Sequence, residues 1–210
     1  MKNRKELWLT TLLCLLPALA GALLYRRLPE SVATHFGMNG EADGWSSRAF
    51  AVFGLPALTA GLNLLLHFAL RSDPKRQNVS PVLRAIAVWT VPAVSIFAGA
   101  VTLGNALGYT VHVEVVTPLL VGLLFIAIGN YLPKTKQSYT TGFKLPWTLA
   151  SEENWNRTHR LAGFLWVLGG AAAVLLSLLR VWNAWLFLML IAALALVPSV
   201  YSYLLYKKGV

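Results

Sequence analysis

The chain has 210 residues, of which 57% are hydrophobic and only 12% charged, and its mean hydropathy is +0.60. A water-soluble domain carries about a quarter charged residues, so a single soluble core is excluded. The net charge of +10 does not indicate nucleic acid, because the 18 Lys and Arg residues fall in loops, tails and span ends, where positive charge sets topology and attracts anionic lipid. The sole cysteine, Cys14, excludes an intramolecular disulfide and any multi-cysteine metal site.

Six apolar windows follow in chain order, at residues 7–24, 49–70, 85–107, 115–132, 161–179 and 184–203. Each is close to the ~20 residues that cross about 30 Å of hydrocarbon. Lys2, Arg4, Lys5, Arg71, Lys75, Arg76, Arg84, Lys134, Lys136, Lys144, Arg157, Arg160, Lys207 and Lys208 all fall on one side of the alternating windows, against Arg26, Arg27, Arg48 and Arg180 on the other. Cytoplasmic segments are the ones rich in Lys and Arg, so both termini are expected in the cytoplasm. The predicted fold is an all-α integral membrane protein with six transmembrane helices. An N-terminal region, 1–110, carries a folded extracytoplasmic loop at 25–48, and a second region, 111–210, carries a long cytoplasmic loop at 133–160. A cleaved signal peptide is the competing reading of the first window, since Ala18-Leu19-Ala20 resembles a small-residue cleavage site. The apolar run nevertheless continues to Leu24 and ends in Tyr25-Arg26-Arg27, as an interface-anchored span does.

Pro17, Pro56, Pro92, Pro118 and Pro198 put one helix breaker in every window but the fifth, which has Gly163, Gly169 and Gly170 instead. In lipid, neighbouring helices satisfy the carbonyls that a proline frees, and small residues permit close approach, so the fifth helix is predicted to pack centrally. Gly104 and Gly108 form a GxxxG, a weak dimerisation signal by itself. No Asp, Glu, Lys or Arg lies near the middle of a window, where each would cost roughly 2.5–3.5 kcal/mol; this speaks against an ion-coupled pump. Asn63 and His67, four apart on one helix face, predict an interhelical hydrogen bond.

In the first loop, Asn39-Gly40 and Asp43-Gly44 are turn signals that predict a compact fold. His35, Glu41 and Asp43, with His112 and Glu114 of the third loop, match a zinc shell in residue type, but their spacing fits no motif; the expectation is a hydrogen-bonded structural loop with no metal and no cofactor. In the fourth loop, Phe143, Leu145 and Trp147 alternate with Gly142, Lys144 and Pro146, which is strand periodicity, and Pro146 biases Leu145 to extended backbone. Ser151 is an N-cap candidate followed by Glu152 and Glu153. Trp155, His159, Ala162 and Trp166 recur at helical spacing, so this helix is predicted to run into the fifth span with His159 at the membrane interface. A 28-residue amphipathic loop where a short turn would suffice points to function rather than anchoring alone. Nucleotide-binding, metalloprotease, serine-hydrolase and CxxC signatures are all absent.

Gly129-Asn130-Tyr131-Leu132-Pro133, Gly142-Phe143-Lys144-Leu145-Pro146-Trp147-Thr148-Leu149 and Trp155-Asn156-Arg157-Thr158-His159-Arg160-Leu161-Ala162-Gly163 together resemble the SdpI family of bacterial membrane proteins. Leu28-Pro29, His35-Phe36, Gly40 and Asp43-Gly44 resemble the small DUF1648-like region that commonly precedes it. Lys144 and Leu145 stand where the family has Arg and Thr; charge is kept but a bidentate contact is lost. The resemblance implies a plasma-membrane immunity protein, not an enzyme, that protects a bacterium from a secreted membrane-active peptide toxin and holds a DNA-binding repressor at the membrane. It further implies a toxin-side surface at His35, Phe36, Asp43 and Trp45. Gly142, Lys144, Pro146, Trp147, Trp155, Arg157, Thr158, His159 and Arg160 would form the cytoplasmic docking surface, with anionic lipids as further partners and no direct nucleic-acid binding. Two other readings stay open: a small transporter or channel for a lipid or neutral solute, and a metal-dependent membrane enzyme built on His35 and His112.

Overall fold

The computed structural model describes residues 2–37, 39–181 and 183–210; Met38 of the first loop, Trp182 and the side chains of Lys2, Asn3 and Ala184 lie outside the description. Among the described residues, six helical segments are long and apolar enough to cross a membrane: Arg4–Arg27, Phe50–Ser72, Pro81–Ala106, Val113–Lys134, Glu152–Leu178 and Trp185–Lys207. They correspond one for one to the apolar windows of the sequence. The chain divides into two compact units, residues 1–68 with 87–113 and residues 69–86 with 114–210.

In the first unit the leading span is two helices, α1 (Lys2–Cys14) and α2 (Leu16–Leu24), parted just before Pro17. Ser95 Oγ donates to the Cys14 carbonyl at the break, 2.8 Å away, so the bare backbone group finds a partner inside the protein, as hydrocarbon requires. Asn63 Nδ2 donates to Thr10 Oγ1 and Thr11 Oγ1 at 3.0 and 2.9 Å, and His67 Nε2 lies 3.1 Å from Thr10 Oγ1. The expected interhelical hydrogen bond is thus a buried four-residue cluster. Leu28, Val52 and Leu103 form an apolar core against Tyr25.

The first loop opens on a 3-10 turn, Tyr25–Arg27, and is otherwise mostly strand. It is an antiparallel hairpin of β1 (Ser31–Phe36) and β2 (Ala42–Ser47), bulged around His35. Where the strands meet, Gly37 N donates to Glu41 O at 2.8 Å and Gly40 N to Gly37 O at 2.9 Å. Asp43-Gly44, expected as a turn, lies inside β2 instead. A Cβ on Gly44 would come within 2.8 Å of the His35 Cβ, so glycine serves the close approach of the bulged strands. A π-helical segment, Phe50–Gly54, leads into α3 (Leu55–Ser72), and α4 (Pro81–Ala106) follows. Gly108 ends α4 at φ +86°, with Tyr109 N donating to Gly104 O at 3.0 Å. This is a Schellman cap, so the GxxxG pair terminates a helix.

The second unit holds α5 (Val113–Gly129), a short α6 (Pro146–Ala150), α7 (Glu152–Leu178) and α8 (Ala184–Lys207). Within it α7 packs centrally, touching α5, α6 and α8. Ideal Cβ atoms on Gly122 and Gly129 would sit 2.8 Å from Gly170 O and 3.0 Å from Gly163 O, so these helices meet backbone to backbone. Pro198 has no N–H for the Leu194 carbonyl one turn earlier; Trp166 Nε1 donates to that oxygen at 3.0 Å.

Trp166→Phe keeps an aromatic ring but leaves Leu194 O bare. We expect a loss of about 1 kcal/mol, read as a lower thermal midpoint in detergent, against no change for Trp185→Phe on the exposed surface.

Candidate functional site

Between Thr135 and Leu145 the second unit's loop has neither helix nor strand, so its backbone groups need partners from elsewhere. Helix α7 supplies the first set. Ser151 caps it, its side chain accepting from Asn154 N, and the helix then presents Trp155 and His159 one turn apart, both fully buried and stacked at 4.0 Å. Trp155 Nε1 donates to Thr135 O at 2.9 Å. His159 Nε2 accepts from Phe143 N at 2.9 Å, which makes Nδ1 the protonated nitrogen and the donor to Trp155 O at 2.7 Å. Gly142 passes over this pair at φ +97°, and a Cβ there would meet His159 Nε2 at 2.3 Å. Only glycine combines that backbone angle with that clearance.

A carboxylate supplies the second set. Asp73 follows the end of α3, and its Oδ1 accepts from Lys75 N at 2.7 Å, an Asx turn before the basic segment. Its Oδ2 accepts from Ser138 Oγ, Tyr139 N, Thr140 N and Thr140 Oγ1 at 2.8, 3.0, 3.0 and 2.7 Å. Burial alone would raise this carboxyl, but the hydrogen bonds from Thr140, Ser138 and the Lys75 and Tyr139 amides outweigh it and hold the group below its ordinary value of 3.8. Gln137 extends the web, accepting from Lys75 Nζ at 2.9 Å and donating to Thr148 O at 3.0 Å. Asp73 and Gln137 belong to the candidate site only through the fold; the one local signal in the sequence is the Asp73-Pro74 pair at a helix end.

The strand alternation expected over 143–147 breaks at Pro146. Leu145 is extended, but Pro146 opens α6, its fixed φ suiting the first helical position, and Leu145 N donates to Thr148 Oγ1 at 2.9 Å. Trp147 therefore lies on a helix. It packs against Tyr203 and Tyr206 of α8 at 5.4 and 6.0 Å, and its buried Nε1 has no hydrogen-bond partner among the described residues.

The nine residues expected to form one docking surface divide by burial. Trp155, Thr158 and His159 are fully buried; Trp155 and His159 lie beneath the loop because residues 135–143 fold back over α7, so His159 is not on an exposed surface, and Thr158 Oγ1 donates to Asn154 Oδ1 at 3.1 Å. Lys144, Pro146, Arg157 and Arg160 are exposed, and Gly142 and Trp147 are half-buried. On the hairpin, His35 and Asp43 are exposed and paired at 2.5 Å, Trp45 is 59% exposed and Phe36 half-buried. His112 precedes α5 and Glu114 lies in its first turn. Among the described residues no group of three or more His, Cys, Asp or Glu stands at metal-ligand distances.

Gly142→Ala is expected to destabilise the unit by about 1–3 kcal/mol, checked by faster proteolysis within 135–150. For Asp73 the folded-state value lies below the unfolded one, so its stabilisation is fully present above about pH 3.8 and lost as pH falls through the lower folded value. Hydrogen exchange at the amides of Tyr139 and Thr140 should accelerate over that acid range. In Asp73→Asn the acid step should vanish, with protection already down roughly tenfold or more at neutral pH.

Residues 134–202 match the SdpI/YfhL protein family, and residues 12–60 match a domain of unknown function, DUF1648. Over 191 residues the chain is 28% identical to the Immunity protein SdpI of Bacillus subtilis (strain 168), with 90% of each chain covered. No solved structure matches it. The family match spans Thr135, the Trp155–His159 pair and the α7–α8 packing that the geometry singles out, and the chain is a multi-pass bacterial membrane protein whose residues 134–202 are similar to the SdpI/YfhL family.

Proposed function

We propose that the chain is an immunity protein of the bacterial plasma membrane that acts by binding a secreted membrane-active peptide, without catalysis. The observation that carries the cytoplasmic, partner-docking half of this reading is the loop at 133–160, whose backbone is satisfied from beneath by Asp73, Trp155 and His159 while Lys144, Arg157 and Arg160 stay exposed. Such a loop offers a fixed cationic and aromatic surface, as a binding partner needs, and the similarity to an immunity protein over 90% of both chains supports the same assignment.

In this reading both termini and the 133–160 loop are cytoplasmic, in line with the distribution of Lys and Arg. The hairpin then faces outward, with His35, Phe36, Asp43 and Trp45 as the peptide-side contacts. Lys144, Trp147, Arg157 and Arg160 form the cytoplasmic surface on which a small DNA-binding repressor docks. Coupling the two sides requires two states with different affinity for each partner.

Expression in a Bacillus subtilis strain lacking its own immunity protein, challenged with medium from toxin-producing cells, should raise survival above the empty vector. Survival equal to the vector would remove the immunity reading. Lys144→Glu with Arg160→Glu, both at exposed positions, should leave the protein folded but abolish co-purification of the repressor; equal recovery with wild type would show the docking assignment to be wrong.

A further inference from the structure

Along the outer side of the α7–α8 pair runs an apolar groove of about 360 Å³, lined by Leu161, Leu196, Val197, Val200, Tyr201 and Leu204. Leu196, Val200 and Leu204 are more than half exposed, so the groove opens to the surroundings of the helices. Its α8 wall covers about 12 Å at 1.5 Å per residue, a length that suits an extended hydrocarbon chain. Apart from the Tyr201 hydroxyl the lining residues are aliphatic.

Charge collects at one end of this groove. Leu204 shares its helix face with position 208, four residues on, and Leu161 shares its face with position 157, four residues back; these positions are Lys208 and Arg157. Asn154 Nδ2 donates to Ser202 O at 3.0 Å and to Val210 O at 3.2 Å, which ties the end of α8, where Lys208 follows, to the first turns of α7, where Arg157 stands. Lys207 lies over the Tyr203 ring, 5.9 Å from its centroid. Arg157 pairs with Glu153, yet Arg157, Arg160, Lys207 and Lys208 outnumber Glu152 and Glu153 at this end.

We infer that this groove is a binding site for an anionic phospholipid. One acyl chain lies along Val197, Val200 and Leu204, and the phosphate is held at the mouth by Arg157 and Lys208. A zwitterionic lipid offers the same chain but a headgroup without net charge, so the cationic mouth selects for the anionic class. The inference goes beyond the immunity reading and is tested without any peptide, so either can fail while the other stands.

The test is native mass spectrometry of the full chain released from detergent, titrated with an equimolar mixture of phosphatidylglycerol and phosphatidylcholine carrying identical chains. Wild type should retain phosphatidylglycerol preferentially, by about tenfold, and Arg157→Gln with Lys208→Gln should bring the ratio to parity. Val200→Trp, a change at an exposed helix position, should lower retention of both lipids, whereas Lys134→Gln with Lys136→Gln should keep the wild-type ratio. Equal retention of the two lipids by wild type overturns the site. So does an unchanged ratio in the double variant, or unchanged retention by Val200→Trp.

Discussion

The stacked pair of Trp155 and His159 on α7 decides the form of the second unit's loop. Residues 135–145 make no regular structure of their own, and peptide groups in that state keep a fixed course only when other parts of the protein take their hydrogen bonds. The indole takes Thr135 O, the imidazole takes Phe143 N, and the segment between them is held by four donors converging on one Asp73 oxygen. The exposed positions of Lys144 and Pro146 follow from these buried ones. A polar network of this kind orders a loop only when it is satisfied throughout, which is why Gly142 must leave room for the imidazole.

The same rule governs the spans. Each break in a helix ladder that lies in hydrocarbon has to be met from inside, and Ser95 at Cys14 O and Trp166 at Leu194 O do so in the first and second units. Trp166 also touches Phe143 at 6.0 Å and Phe125 at 4.8 Å. The ring that serves the Leu194 carbonyl therefore packs directly on the loop held by His159. The interior of the second unit and its exposed loop are one connected packing.

The spans were legible in the sequence because length and apolarity report them directly, and the interhelical role of Asn63 and His67 because two polar groups in lipid must find partners. The Ser151 cap was equally plain, since capping is local. What was illegible depended on chain segments far apart. Nothing within a few residues of Asp73 announces that Ser138 and Thr140, more than sixty positions on, will fold around it. Trp155 and His159 had the residue types of an interfacial belt, and only the return of residues 135–143 over α7 buries them. Two local patterns also misled: alternation through 143–147 ignored that proline opens a helix as readily as it extends its predecessor, and Asp43-Gly44 had the composition of a turn while its glycine serves a strand contact.

The central claim is that His159 acts as a buried hydrogen-bond acceptor for the loop through Nε2. The nitrogen-15 chemical shifts of a specifically labelled His159, recorded with the protein in bilayers at neutral pH, test it directly. Protonation at Nδ1 with a bare, hydrogen-bonded Nε2 that loses its bonded shift when Gly142 is replaced by Ala is the predicted result. A ring protonated at Nε2, or at both nitrogens, would contradict the account, because the Phe143 amide would then have no acceptor there.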